Sequence, residues 1–186
     1  MNFAAKSKLA RFLTAHARKH LLLTVILYVG ILSIILFPVS MEENAMAWFG
    51  GYFACPVICI FLTRILAKSF LSVRRQFSAL EAEGQLDKIV QDFSSADREM
   101  GGNLYVGKLA LYGKGSDAAA LYRDMRQVYS VLSDRRGRNP RDLRYVNAAG
   151  EDKFLCELDP IGQSNTEIEQ LYRRVAKKNP HIQCGQ

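Results

Sequence analysis

Arg135, Arg136, Arg138, Arg141 and Arg144 fall within ten residues, offset there only by Asp142. Guanidinium forks match the geometry of phosphate and carboxylate groups. Gly137, Asn139 and Pro140 make the stretch a loop beside a strand. These five side chains are the candidate contact for anionic lipid headgroups or for a partner protein. Close to an anionic bilayer, each basic residue would add about 1 kcal/mol of binding. The alternative is a solvated loop whose charge offsets acids elsewhere.

The remaining chemistry-bearing residues form no recognisable set. Gly113-Lys114-Gly115-Ser116 lacks the upstream glycine of a phosphate loop and reads as a turn. Asp87, Asp92 and Asp97 are too widely spaced for a calcium loop. His16 and His20 stand four apart but sit beside Arg18 and Lys19, as part of a basic anchor. Cys55 and Cys59 are not a C-x-x-C pair, and Cys156 and Cys184 lie far downstream. No Rossmann, nucleophile-elbow or zincin motif is present. The expectation is therefore a non-enzymatic chain with no cofactor and no metal.

Two apolar runs dominate the first third. Leu21 to Phe37 and Ala45 to Thr63 hold 17 and 19 residues without a charge. About 20 helical residues cross a hydrocarbon core. The seven residues between the runs hold Pro38, Glu42 and Glu43, so the runs read as a transmembrane hairpin, with helices at about 21–39 and 45–66. Trp48, Phe49, Tyr52 and Phe53 suit an aromatic belt. A cleaved secretory signal ending at Ala45-Met46-Ala47 is the weaker alternative, because its apolar run would be too long and a second run follows. A buried soluble hairpin is disfavoured, because the rest of the chain lacks the apolar surface to cover it.

Charge orients the hairpin. The first 20 residues carry five Lys or Arg and no acid, and Arg64, Lys68, Arg74 and Arg75 follow the second run. The positive-inside rule then leaves both termini in the cytoplasm. Residues 76–186 balance 16 basic against 16 acidic groups. The net charge of +7 thus belongs to the flanks of the runs, and no nucleic-acid footprint is expected. Within the second run Ala47, Gly51, Cys55, Cys59 and Thr63 recur every four residues. Such a strip of small residues lets helices approach closely. Packing inside the hairpin is preferred to a dimer face, and Pro56 should kink the helix.

Three regions follow. Residues 1–68 are the basic N-terminus and hairpin. Residues 69–99 are an amphipathic stalk, with Phe70, Val73, Phe77 and Leu80 on one stripe, then Leu86, Ile89, Val90 and Phe93 on another. Residues 100–186 are a cytoplasmic α+β domain. Leu104 to Tyr112 reads as a strand, and Ala120–Tyr122 and Gln127–Leu132 as two more around a turn at Arg123-Asp124-Met125. Ala119 to Leu132 also fits a helical period. Leu143–Val146 and Lys153–Leu158 flank a hairpin turn at Asn147 to Asp152. Ser164-Asn165-Thr166-Glu167 is a capping box. It opens a helix whose Ile168, Leu171, Tyr172 and Val175 form one stripe, ended by Asn179-Pro180.

The order of these elements resembles a group of small, uncharacterised bacterial membrane proteins with a two-helix hairpin and a cytoplasmic pleckstrin-homology-like domain. The hairpin, Leu104 to Tyr112, Val128-Tyr129, Gly150, the helix from Thr166 to Lys178 and the closing N-P-x-I-x-x-G from Asn179 to Gly185 carry the resemblance. It implies an α+β fold: a transmembrane hairpin, then a small bent antiparallel sheet capped by the C-terminal helix. It also implies a bacterial inner-membrane location and no known activity. The expected role is a membrane-tethered interaction or sensing module contacting the bilayer, with homo-oligomers possible. The alternative is an accessory subunit of a membrane complex or transporter, binding a protein through the hairpin or an exposed sheet edge.

Overall fold

The structure, a computed structural model, describes residues 3–15, 17–19, 21–23, 25–26, 64, 67–132, 141–158 and 165–185. Helix α1 spans Phe3–Leu13, with Leu9 and Leu13 buried and Lys8 and Arg11 exposed. Helix α2 covers 67–82. Its Val73, Phe77 and Leu80 recur at helical spacing and are buried, while Arg74 and Arg75 face solvent. Gly84, at φ +65°, lets the chain reverse, with Gln85 N–H closing on the Leu80 carbonyl at 2.8 Å. Helix α3, Leu86–Ser95, buries Leu86, Ile89, Val90 and Phe93.

Among the described residues, eight strands follow. A first sheet has the order β1-β2-β3-β4, from Asp97–Glu99, Leu104–Val106, Ala110–Gly113 and Ala120–Leu121, all antiparallel. A second has the order β7-β6-β5-β8. Strand β5 is Met125–Leu132, β6 Arg141–Asn147, β7 Asp152–Leu158 and β8 Gln183–Cys184. The pairs β5/β6 and β6/β7 are antiparallel, whereas β8 runs parallel to β5. Helix α4, Asn165–Lys178, lies between β7 and β8 in sequence.

Each sheet has a different exposure, and the residues show it. Every residue of β3 is buried, because both of its faces are covered. Leu111 joins Leu104, Val128, Leu143, Leu155 and the α4 stripe of Ile168, Leu171 and Val175. Ala110 and Tyr112 instead join Leu9, Leu13, Phe77 and Phe93 from α1, α2 and α3. A sheet covered on both faces reads as an unbroken apolar run. The sheets meet where β3 crosses β7: a Cβ on Gly113 would overlap the Leu155 carbonyl, so only glycine permits that approach.

The structure corrects the sequence reading at its centre. Among the described residues no helix is long and apolar enough to cross a membrane. The transmembrane hairpin, the multi-pass inner-membrane location and the cytoplasmic placement of both termini lose their support with it. Helices α1 to α4 are amphipathic, each with one apolar stripe turned to the core and a charged side to water, whereas the helical residues Leu21, Leu22, Leu23, Val25 and Ile26 are exposed. The described part of the first apolar run, 21–23 and 25–26, is helical but far short of a span. Residues 27–63 lie outside the described residues. Nothing in the structure supports the pleckstrin-homology-like label either. The fold it shows is α+β with antiparallel sheets. Residues 69–99, expected as a stalk, pack against the first sheet, and β1 falls before the boundary expected at residue 100.

Candidate functional site

The expected arginine patch does not form one surface among the described residues. Arg135, Arg136 and Arg138 lie outside them, as do Ala47, Gly51, Cys55, Cys59 and Thr63. Arg141 and Arg144 stand three residues apart on β6, so the two-residue period of a strand sends them to opposite faces. Arg141 donates to Asn165 Oδ1 at the start of α4, 2.6 Å away. Arg144 donates through Nε to both Asp152 carboxylate oxygens, at 3.0 and 2.9 Å. That carboxylate holds the Arg144 guanidinium above its ordinary pKa.

The loop after β3 cannot cradle a phosphate, because its amides are already used. Lys114 N–H donates to Asn103 O, Gly115 N–H to Phe12 O, Ser116 N–H to Gly113 O and Asp117 N–H to Leu13 O, at 2.8–3.3 Å. Two of these satisfy carbonyls at the end of α1. Ser69 is hydrogen-bonded to Asp117. Gln76 clamps Ala119 from both sides, accepting from its N–H at 2.8 Å and donating to its carbonyl at 2.7 Å. The loop is therefore the seat of the helical layer.

Sequence reasoning missed a buried polar centre at Asp92. Its carboxylate accepts from Lys108 N–H at 2.7 Å, Leu109 N–H at 3.1 Å and the Tyr112 hydroxyl at 2.8 Å. The turn it caps, 107–109, divides the expected strand Leu104–Tyr112 in two. A Cβ on Gly107 would overlap the carboxylate, so the turn closes only with glycine there. The Tyr122 hydroxyl, 3.3 Å away, and the Lys178 ammonium donate to the Gly107 carbonyl. Burial, reinforced by the Asp92 charge, pushes the Tyr112 and Tyr122 hydroxyls far above their usual pKa. With its acceptor sites occupied and almost no exposure, Asp92 works as a turn cap. Burial likewise pushes the Cys156 thiol up, which makes it a poor nucleophile. No group of three metal-ligating side chains occurs among the described residues.

One feature lacks a structural partner among the described residues. Strand β5 has eight residues and pairs with β6 along its length, but β8 matches only Gln127 and Val128. Gly185 N–H donates to the Val128 carbonyl at 2.9 Å. By the strand period, Ser130 and Leu132 turn their N–H and C=O to that same side. Among the described residues no strand meets them there. The other edges are handled: β7 abuts Gly113, and Asn103 Nδ2 reaches the Glu157 carbonyl at 3.5 Å. Gln76 covers the start of β4, and β1 is a short run of Asp, Arg and Glu. On the helix side the open edge is walled by Tyr172 of α4. Its hydroxyl is buried beside Ser130 without a hydrogen bond of normal geometry. No family model, curated protein or solved structure matches this chain.

Proposed function

We propose that the chain is a non-enzymatic interaction module that receives an extended segment of a protein partner as an added strand beside Tyr129–Leu132. The observation carrying this reading is the mismatch between the eight-residue β5 and the two residues that β8 pairs with it. Strand addition draws its affinity from main-chain hydrogen bonds and its specificity from neighbouring side chains. The edge offers the N–H and C=O of Ser130, where the backbone lies beside the Tyr172 hydroxyl, and the N–H of Leu132, each worth about 0.5–1.5 kcal/mol net once paired. Tyr172 and the exposed Leu132 (63% accessible) offer an aromatic wall and an apolar contact on the α4 side. Tyr129 and Val131 present the opposite face. Supporting the same reading, the polar groups around Asp92, Gln76 and Asp117 are spent on holding the fold.

Residue-resolved amide exchange on the dilute, monomeric chain tests this. Ser130 and Leu132 should exchange on the order of 100-fold faster than Tyr129 and Val131, whose amides face β6. Equal protection of all four would mean that the chain fills its own edge, and the reading would fall.

A further inference from the structure

We infer that the strand received at this edge is β5 of a second copy of the same chain, paired antiparallel about a two-fold axis. The inference rests on the strand-addition reading and names its partner.

Three observations favour self-pairing. The open stretch Tyr129-Ser130-Val131-Leu132 carries no charge, so a two-fold copy meets no like-charge repulsion across the new ladder. It is also built of β-forming residues and lacks the devices that normally keep edges apart: no Lys, no Pro, and a bulge only upstream, between Met125 and Gln127. Symmetric pairing matches donors to acceptors without further adjustment. Ser130 and Leu132 point their backbone groups outward from both copies, so an antiparallel alignment joins them reciprocally.

The helix beside the edge fits the same arrangement. A two-fold axis through the edge brings the two α4 helices side by side and antiparallel on one face of a continuous eight-stranded sheet. Glu169 and Arg173, both exposed, stand one turn apart on the flank that carries Tyr172. Antiparallel copies set the acid of one against the base of the other. The two Tyr172 hydroxyls, each buried beside Ser130 without a hydrogen bond of normal geometry, come close to the new ladder.

Sedimentation equilibrium of the full chain, from about 1 to about 100 µM, reads the outcome. The parent chain should show a reversible monomer–dimer equilibrium. Leu132→Lys, at an exposed position, should weaken it at least tenfold, and Ser130→Pro, which removes an outward donor, should do the same. Both variants should keep the parent's circular dichroism at low concentration. A monomer at every concentration overturns self-pairing. So does a dimer that both substitutions leave intact. If the parent is monomeric while Ser130 and Leu132 exchange rapidly, the second copy is excluded and strand addition stands. If those amides are protected in the monomer, both readings fall.

Discussion

The Tyr112 hydroxyl donates to the Asp92 carboxylate across 2.8 Å, joining a strand of the first sheet to the helix lying on it. The same hydroxyl lies 3.1 Å from the Ile89 carbonyl one turn earlier. Phe93 meets the Tyr112 ring edge-on at 5.2 Å between centroids and itself packs against Phe12 and Tyr105 at 5.5 and 5.3 Å.

Replacing Asp92 with Ala should therefore be among the most damaging single changes in the helical layer. It strands the amides of Lys108 and Leu109 and leaves the Tyr112 hydroxyl only the Ile89 carbonyl. About 3 kcal/mol should be lost, read as a shift of the urea midpoint. Tyr112→Phe removes one donor and leaves the turn capped, so about 1–2 kcal/mol is expected. An Asp92→Ala chain as stable as the parent would show that the cap is dispensable.

Gln76 should behave as a latch for α2. Gln76→Ala removes two hydrogen bonds to Ala119, for a loss of about 2 kcal/mol and faster exchange of the Ala119 amide. Gln76→Glu keeps the acceptor and loses the donor, so its effect should lie between the two. Unchanged exchange at Ala119 in the alanine variant would contradict the latch.

Stability should fall on the alkaline side. Tyr112, Tyr122 and Tyr145 all have hydroxyls raised above the usual value near 10 by burial, Tyr145 up to about 12. In the unfolded chain they lose protons near pH 10, while the folded chain holds them. The unfolded state then binds fewer protons, so stability declines as pH rises. The contribution is complete below pH 10 and drains above it, by about 1.4 kcal/mol per pH unit for each tyrosine. Over pH 10–12, Tyr145 should account for roughly 2 kcal/mol. Tyr145→Phe should flatten the slope of the melting temperature against pH in that window. An unaltered slope would contradict this assignment.

What the sequence disclosed and what it hid follow from the range of the interactions. Local periodicity marked the stripe of α4 through Ile168, Leu171 and Val175, the stripe of α3, and the hairpin around Gly150, because neighbours along the chain define these elements. The turn at Gly107-Lys108-Leu109 was invisible. It interrupts an apolar run with none of the usual Asn, Asp or Pro, and its cap, Asp92, lies fifteen residues upstream. An acid bordering the apolar stripe of a helix was the one available signal. Strand β1 was hidden because Asp97-Arg98-Glu99 pairs through its backbone alone. Arg141 and Arg144 looked like one patch in one dimension, and the alternation of β6 separates them. The open edge depends on how far Gln183–Cys184 reaches along a strand more than fifty residues earlier, which no local pattern encodes.

The central claim is that Ser130 and Leu132 face an unfilled edge while Tyr129 and Val131 are bonded to β6. A pair of proline substitutions, compared by thermal melting in the dilute chain, tests it most directly. Proline deletes the N–H of its own residue. Leu132→Pro removes an outward donor, so its melting temperature should stay within a few degrees of the parent's, whereas Val131→Pro breaks the β5–β6 ladder and should cost about 3 kcal/mol or more. Equal damage from both would mean that Leu132 already has a partner within the chain, and the open edge would not exist.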